Sequence, residues 1–167
     1  MRERNEHIIN DEALTQRVVD NEAYISTLCE LVEEGKDVVL NIAGSSMSPF
    51  LIHRRDAVML RRISRAPVCG DIVLFQRLNG AYVVHRVVKI DDKGFYMIGD
   101  AQTETEGPIS YHQLRAIVNK VRRKGKWVGR DQLMWRFFAT VWLWFIPLRP
   151  LLIRCWSLTN KMICRNG

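Results

Sequence analysis

Apolar side chains recur at helical spacing between residues 11 and 34, at Leu14, Val18, Ile25, Leu28 and Val32. That spacing puts them on one face and predicts an amphipathic helix, with Asn10 able to cap its start and Gly35 its end. From Lys36 the period shortens. Short runs of strand-forming character cover 37–43, 56–61, 71–77, 81–90, 94–98 and 114–123. Asn79-Gly80 and Asp91-Asp92-Lys93-Gly94 stand between them, where tight hairpins need positive φ. The pattern predicts a mainly β fold, an antiparallel and partly closed barrel-like domain with a helix in front of it. No internal repeat or low-complexity segment interrupts it.

The last third has a different pattern. After Lys120, Arg122, Arg123, Lys124, Lys126 and Arg130, four of the five tryptophans fall between Leu133 and Leu158. An apolar run from Phe137 to Leu148 is interrupted only by Thr140; Arg149 and Pro150 break it, and Leu151-Leu152-Ile153 follow. A twelve-residue helix rises only about 18 Å, short of the roughly 30 Å hydrocarbon thickness of a bilayer. The expectation is an interfacial or re-entrant helical tail. The chain then divides into a helical extension at 1–35, a β-domain at 36–128 and a basic, Trp-rich tail at 129–167 that interacts with a membrane.

Composition narrows the classes. With 167 residues, 47% of them hydrophobic, the chain suits one catalytic domain with appendages. Cys29, Cys69, Cys155 and Cys164 are scattered, with neither C-x-x-C pairs nor histidines at ligand spacing, so reduced structural cysteines are expected and no metal is implied. The start, MRERNEHIINDEALTQ, lacks the apolar core of a secretory signal or anchor. Of the net charge of +7, residues 120–167 carry +10, with eleven Lys and Arg against Asp131 alone, and the first 119 residues carry −3. Basic residues mixed with tryptophan suit an anionic membrane surface better than nucleic acid, and if the tail enters a membrane its charge keeps the β-domain on the cytoplasmic side.

Three places carry candidate chemistry. Gly44-Ser45-Ser46-Met47-Ser48-Pro49-Phe50-Leu51 follows the first predicted strand: the glycine permits a tight turn and the proline keeps the segment out of regular pairing, which leaves a hydroxyl facing a cleft. His85 lies in an apolar strand, Val83-Val84-His85-Arg86-Val87-Val88, where alternation sets it on the face of Val83 and Val87 with Arg86 opposite. An imidazole is the usual base for a serine. Gly99-Asp100 ends another strand, and a carboxylate there could fix the imidazole tautomer.

Taken in order, Gly44-x-Ser46-Met47-x-Pro49-Phe50-Leu51, Gly70-Asp71-Ile72-Val73-Leu74-Phe75, His85-Arg86-Val87 and Gly99-Asp100-Ala101 resemble the boxes of the signal peptidase I and LexA serine peptidases. The resemblance runs from about Val38 to Lys126. It implies a largely β fold, Ser46 as nucleophile and His85 as base, the histidine replacing the lysine of bacterial signal peptidases as in the archaeal and endoplasmic-reticulum H-R-V enzymes. Ser45 is excluded because the family nucleophile directly precedes the methionine. The acid falls first to Asp100. Histidine-type enzymes usually carry another aspartate about five residues later, where Thr105 stands between Glu104 and Glu106, so either glutamate is an alternative. The implied activity is removal of a leader or signal peptide from a precursor through an acyl-enzyme, with no metal or organic cofactor. Its rivals are an inactive peptidase-like module that binds a membrane or partner, and a LexA-like self-cleaving regulator, which lacks a helix-turn-helix pattern here.

Overall fold

The computed structural model describes residues 22–155. The expected helix, α1, is present over 22–33; its predicted first part and the Asn10 cap lie outside the described residues. Ile25, Cys29 and Val32 are buried on one side of it, the spacing that predicted it. Gly35 ends it at φ +87°. The Gly35 N–H donates to the Val32 carbonyl (2.9 Å) and the Lys36 N–H to the Leu31 carbonyl (3.0 Å), which is the Schellman pattern.

Eight strands follow: β1 (Val38–Asn41), β2 (Ala57–Arg61), β3 (Ile72–Gln76), β4 (Tyr82–Asp91), β5 (Gly94–Ile98), β6 (Glu106–Ile109), β7 (Leu114–Arg123) and β8 (Lys126–Gly129). They pair antiparallel in the order β1-β2-β7-β3-β4-β5-β6, with β8 against β7. Hydrogen bonding does not close the sheet. Register shifts at Met59/Leu60, Leu74/Phe75, Val87/Lys89 and Phe95/Met97 bend and twist the strands, as bulges do, and let so short a sheet curl. The mainly β, antiparallel, incompletely closed fold expected from the sequence is the fold observed.

The curled sheet has an apolar cluster on each side. Ile72 and Leu74 point into one cluster, Val73 and Phe75 into the other, which is why Ile72 to Phe75 is an unbroken apolar run. The first cluster takes in α1, the serine-bearing turn and three tail residues, Trp135, Phe138 and Trp142.

The tail forms a hook: α2 (Leu133–Ala139), α3 (Val141–Trp144), a 3-10 turn (Ile146–Leu148) and α4 (149–155). Its two arms, Leu133–Trp144 and Ile146–Cys155, meet at 87°. Trp135 sits edge-on to Phe50 at 5.8 Å and Phe138 lies 4.8 Å from the same ring. Composition alone presented this segment as a membrane appendage, but its inward face completes the core of the β-domain. The residues at i, i+3 and i+7 separate an inner stripe from an outer one, a division that a count of apolar residues does not reveal.

Candidate active site

Ser46 lies on the turn between β1 and β2. Gly44 enters it at φ +83°, a left-handed conformation that glycine adopts without a Cβ clash. The Gly44 N–H donates to His53 Nδ1 at 2.9 Å. The Ser48 N–H donates to the Ser45 carbonyl (3.0 Å) and the Leu51 N–H to the Met47 carbonyl (2.8 Å), so Ser46 sits in a tightly wound turn. Met47, Phe50 and Leu51 below it are buried. Among the described residues nothing accepts the Ser46 N–H, which leaves that donor for a ligand oxygen. Behind the serine, the Ala101 N–H donates to its carbonyl at 2.8 Å. A Cβ on Gly99 would come within 2.5 Å of that carbonyl oxygen and 3.0 Å of the serine Cβ. The Gly99-Asp100-Ala101 box is therefore the backing plate of the serine turn.

Ser46 and His85 line one cavity of about 320 Å³, shared with Ile25, Met47, Arg77 and Gln102. Ser45 is exposed and does not line it. His85 is 1% exposed. Burial, chiefly, drives its pKa down to about 4, with Glu106 pulling it up and Arg77 pushing it further down. The ring is therefore neutral at neutral pH and able to accept a proton. Its Nδ1 is buried without a hydrogen-bond partner and lies 3.9 Å from Glu106 Oε2. Glu106 is held in turn by Arg77 through two bonds of 2.6 Å. No hydrogen bond joins Ser46 Oγ to His85; such contacts commonly tighten only around substrate.

The structure does not bring Asp100 to His85. Asp100 is fully buried and both its oxygens are taken by Arg86, at 2.9 and 2.7 Å. Alternation explains this: Arg86 occupies the opposite face of β4 from His85, and the carboxylate at the end of β5 meets the guanidinium there. Of the three acids weighed from sequence, Glu106 is the one facing the imidazole, from the first position of β6. Glu104 is exposed and beside a separate crevice next to α4.

Arg77, Gln102 and Arg149 were not singled out for the site. Arg77 directly follows β3 and reaches Glu106 across the cavity edge. Gln102 Oε1 accepts the Gly99 N–H at 2.9 Å. Arg149, read from sequence only as a break in the apolar run, is buried and donates to the carbonyls of Gly99 (3.0 Å), Gln102 (2.8 Å) and Trp142 (3.3 Å). An arginine inside the otherwise almost wholly apolar stretch 137–153 was the available signal, because a buried guanidinium requires acceptors. Among the described residues no cluster of His, Cys, Asp and Glu could hold a metal ion.

A family model described as Peptidase S24-like matches residues 8–121, a span that contains the serine turn, the histidine strand and Glu106. No curated protein shows a significant match to the chain.

Proposed function

Because the chain belongs to the Peptidase S24-like family, within the LexA and signal peptidase I superfamily of serine peptidases, we propose that it is a serine endopeptidase that removes a leader or signal peptide from a precursor. Ser46 is the nucleophile, His85 the base and Glu106 the acid that orients it. The observation that carries this reading is the shared cavity: Ser46 and His85, thirty-nine residues apart in sequence, line it together with Arg77, whose partner Glu106 lies beside the imidazole.

The chemistry follows from which ring nitrogen faces what. With Nδ1 toward Glu106, Nε2 is left for the serine. As Ser46 Oγ attacks the scissile carbonyl, its proton passes to Nε2. The oxyanion takes a hydrogen bond from the free Ser46 N–H. Collapse of the tetrahedral intermediate expels the amine, which takes the proton from Nε2 and leaves an acyl-enzyme. A water attacks that ester, gives its proton to Nε2 and releases the acid and Ser46. Glu106 stabilises the imidazolium in both halves, and Arg77 holds the carboxylate in place through its two hydrogen bonds.

The leader-removing activity is tested by incubating the chain with full-length precursors that carry cleavable N-terminal segments and sequencing the products. The reading predicts a single internal cut that releases the N-terminal segment, lost in Ser46→Ala and His85→Ala and retained in Ser45→Ala. Cleavage at scattered sites, or cleavage by Ser46→Ala at the wild-type rate, contradicts it.

A further inference from the structure

The hook has an outer face as well as an inner one. Leu133, Trp144 and Leu151 are 81%, 88% and 63% exposed, and Met134, Phe137, Val141, Phe145 and Leu148 are exposed beside them. An apolar surface of this extent on a folded domain marks an interaction site. We propose that this outer face docks on the surface of an anionic lipid bilayer, lying in the interface without crossing it.

Three observations select that occupant. The first is charge: residues 132–155 contain Arg136, Arg149 and Arg154 and no Asp or Glu. Arg149 is turned inward, while Arg136 is exposed between Leu133 and Phe137 on the outward side of α2. The acids beside the hook are the exposed Asp131, two residues before α2, and Glu104, which with Pro150 and Ile153 lines the crevice at α4. An apolar face that carries the exposed Arg136 and no acid within residues 132–155 suits headgroups of negative charge. The second is side-chain type, since Trp144 and Phe145 project where an indole or phenyl ring settles at headgroup level. The third is depth. No single described helix is long and apolar enough to cross a membrane, and the bent pair Leu133–Trp144 and Ile146–Cys155 could do so by length and composition alone. For that pair to cross, Trp135, Phe138, Trp142 and Arg149 would have to leave the core they complete.

The α4 arm of the hook neighbours the cavity. Gln102 lines both the Ser46–His85 cavity and the crevice at α4, so a docked molecule holds the cavity mouth near the headgroups. Only this last consequence rests on the peptidase reading.

The test is flotation of the full-length protein with vesicles of phosphatidylcholine, with and without phosphatidylglycerol. The wild type floats with the anionic vesicles and binds neutral ones about tenfold less, and alkaline carbonate releases it. W144E/L151E, altered only on the exposed face, stays in the soluble fraction with an unchanged melt, and Trp144→Ser alone binds several-fold less should the double variant melt early. Ser46→Ala floats like the wild type, which separates docking from catalysis. The proposal is overturned by a wild type that ignores anionic vesicles, by equal binding to neutral ones, by resistance to carbonate, or by a dimer that dissolves on W144E/L151E substitution.

Discussion

A guanidinium with no exposure must have its charge met inside the protein, and Arg86 meets it with both oxygens of Asp100 and the Gly70 carbonyl (3.0 Å) while lying 5.1 Å from the centre of the Phe50 ring. Phe50, Gly70, Arg86 and Asp100 come from the four separate sequence boxes. The same boxes that resembled a peptidase are thus held together by one side chain. Asp100→Asn would leave a buried charge unpaired, which typically costs about 3–5 kcal/mol; the expected result is a large fall in melting temperature. Glu106→Gln is expected to do the opposite, leaving the melt nearly unchanged and lowering turnover roughly a hundredfold. A second consequence concerns protons. The imidazole of His85 titrates at about 4 in the fold against about 6.5 in an unfolded chain. Its folded pKa is depressed, so the unfolded state binds more protons in that window. Stability from this group is full above pH ~6.5 and lost as pH falls toward 4, with a slope of up to about 1.4 kcal/mol per pH unit. Denaturant titrations at several pH values should show that slope in the wild type and a flatter one in His85→Gln. In the acidic limb of kcat/KM, Arg77→Gln should move the midpoint up, and Glu106→Gln down, since the two side chains act on His85 in opposite directions.

Among the elements, the turn that carries Ser46 is fixed at both ends and from behind. At its far end Asp56 is buried, and although burial opposes its ionisation, bonds from Arg55 and from the N–H groups of Ile52 and Lys124 hold its pKa below the usual value. Behind it Gly99 leaves no room for a side chain. Gly99→Ala must push the Ser46 carbonyl aside, and kcat should fall at least about tenfold, as small displacements of reacting groups do, while KM changes less. Six strands were legible to within a residue or two because each is a short, largely apolar run between turn residues. β6 and β8 were not. Glu106-Gly107-Pro108-Ile109 reads as a loop, since proline supplies no N–H to a ladder and glycine no side chain to pack. Lys126-Trp127-Val128-Gly129 is too short and too basic to stand out. Missing β6 is what hid Glu106: in a loop it was one of two equivalent glutamates, whereas on a strand paired with β5 it has a fixed direction toward His85.

At the scale of the whole molecule, the hook ties the catalytic side of the domain to its own C-terminal third. Trp142 Nε1 donates to the Asp100 carbonyl at 2.8 Å and Arg149 to the carbonyls of Gly99 and Gln102, so the segment backing Ser46 hangs on the tail. A chain ended after Arg130 should therefore lose its cooperative melt together with its activity. Arg149→Met should cost about 1–3 kcal/mol for each buried carbonyl left without a donor and lower kcat, both readable in the full-length variant. Such dependence was hidden in the sequence because an apolar, Trp-rich stretch reads alike whether it faces lipid or a core. The central claim, that Ser46 is activated by His85 in the shared cavity, is tested most directly by reacting the full-length protein with a fluorophosphonate and locating the adduct by mass spectrometry. The account predicts one adduct, on Ser46, its rate strongly reduced in His85→Ala and unaffected in Ser45→Ala; labelling of Ser45, or of Ser46 at the same rate without His85, would contradict it.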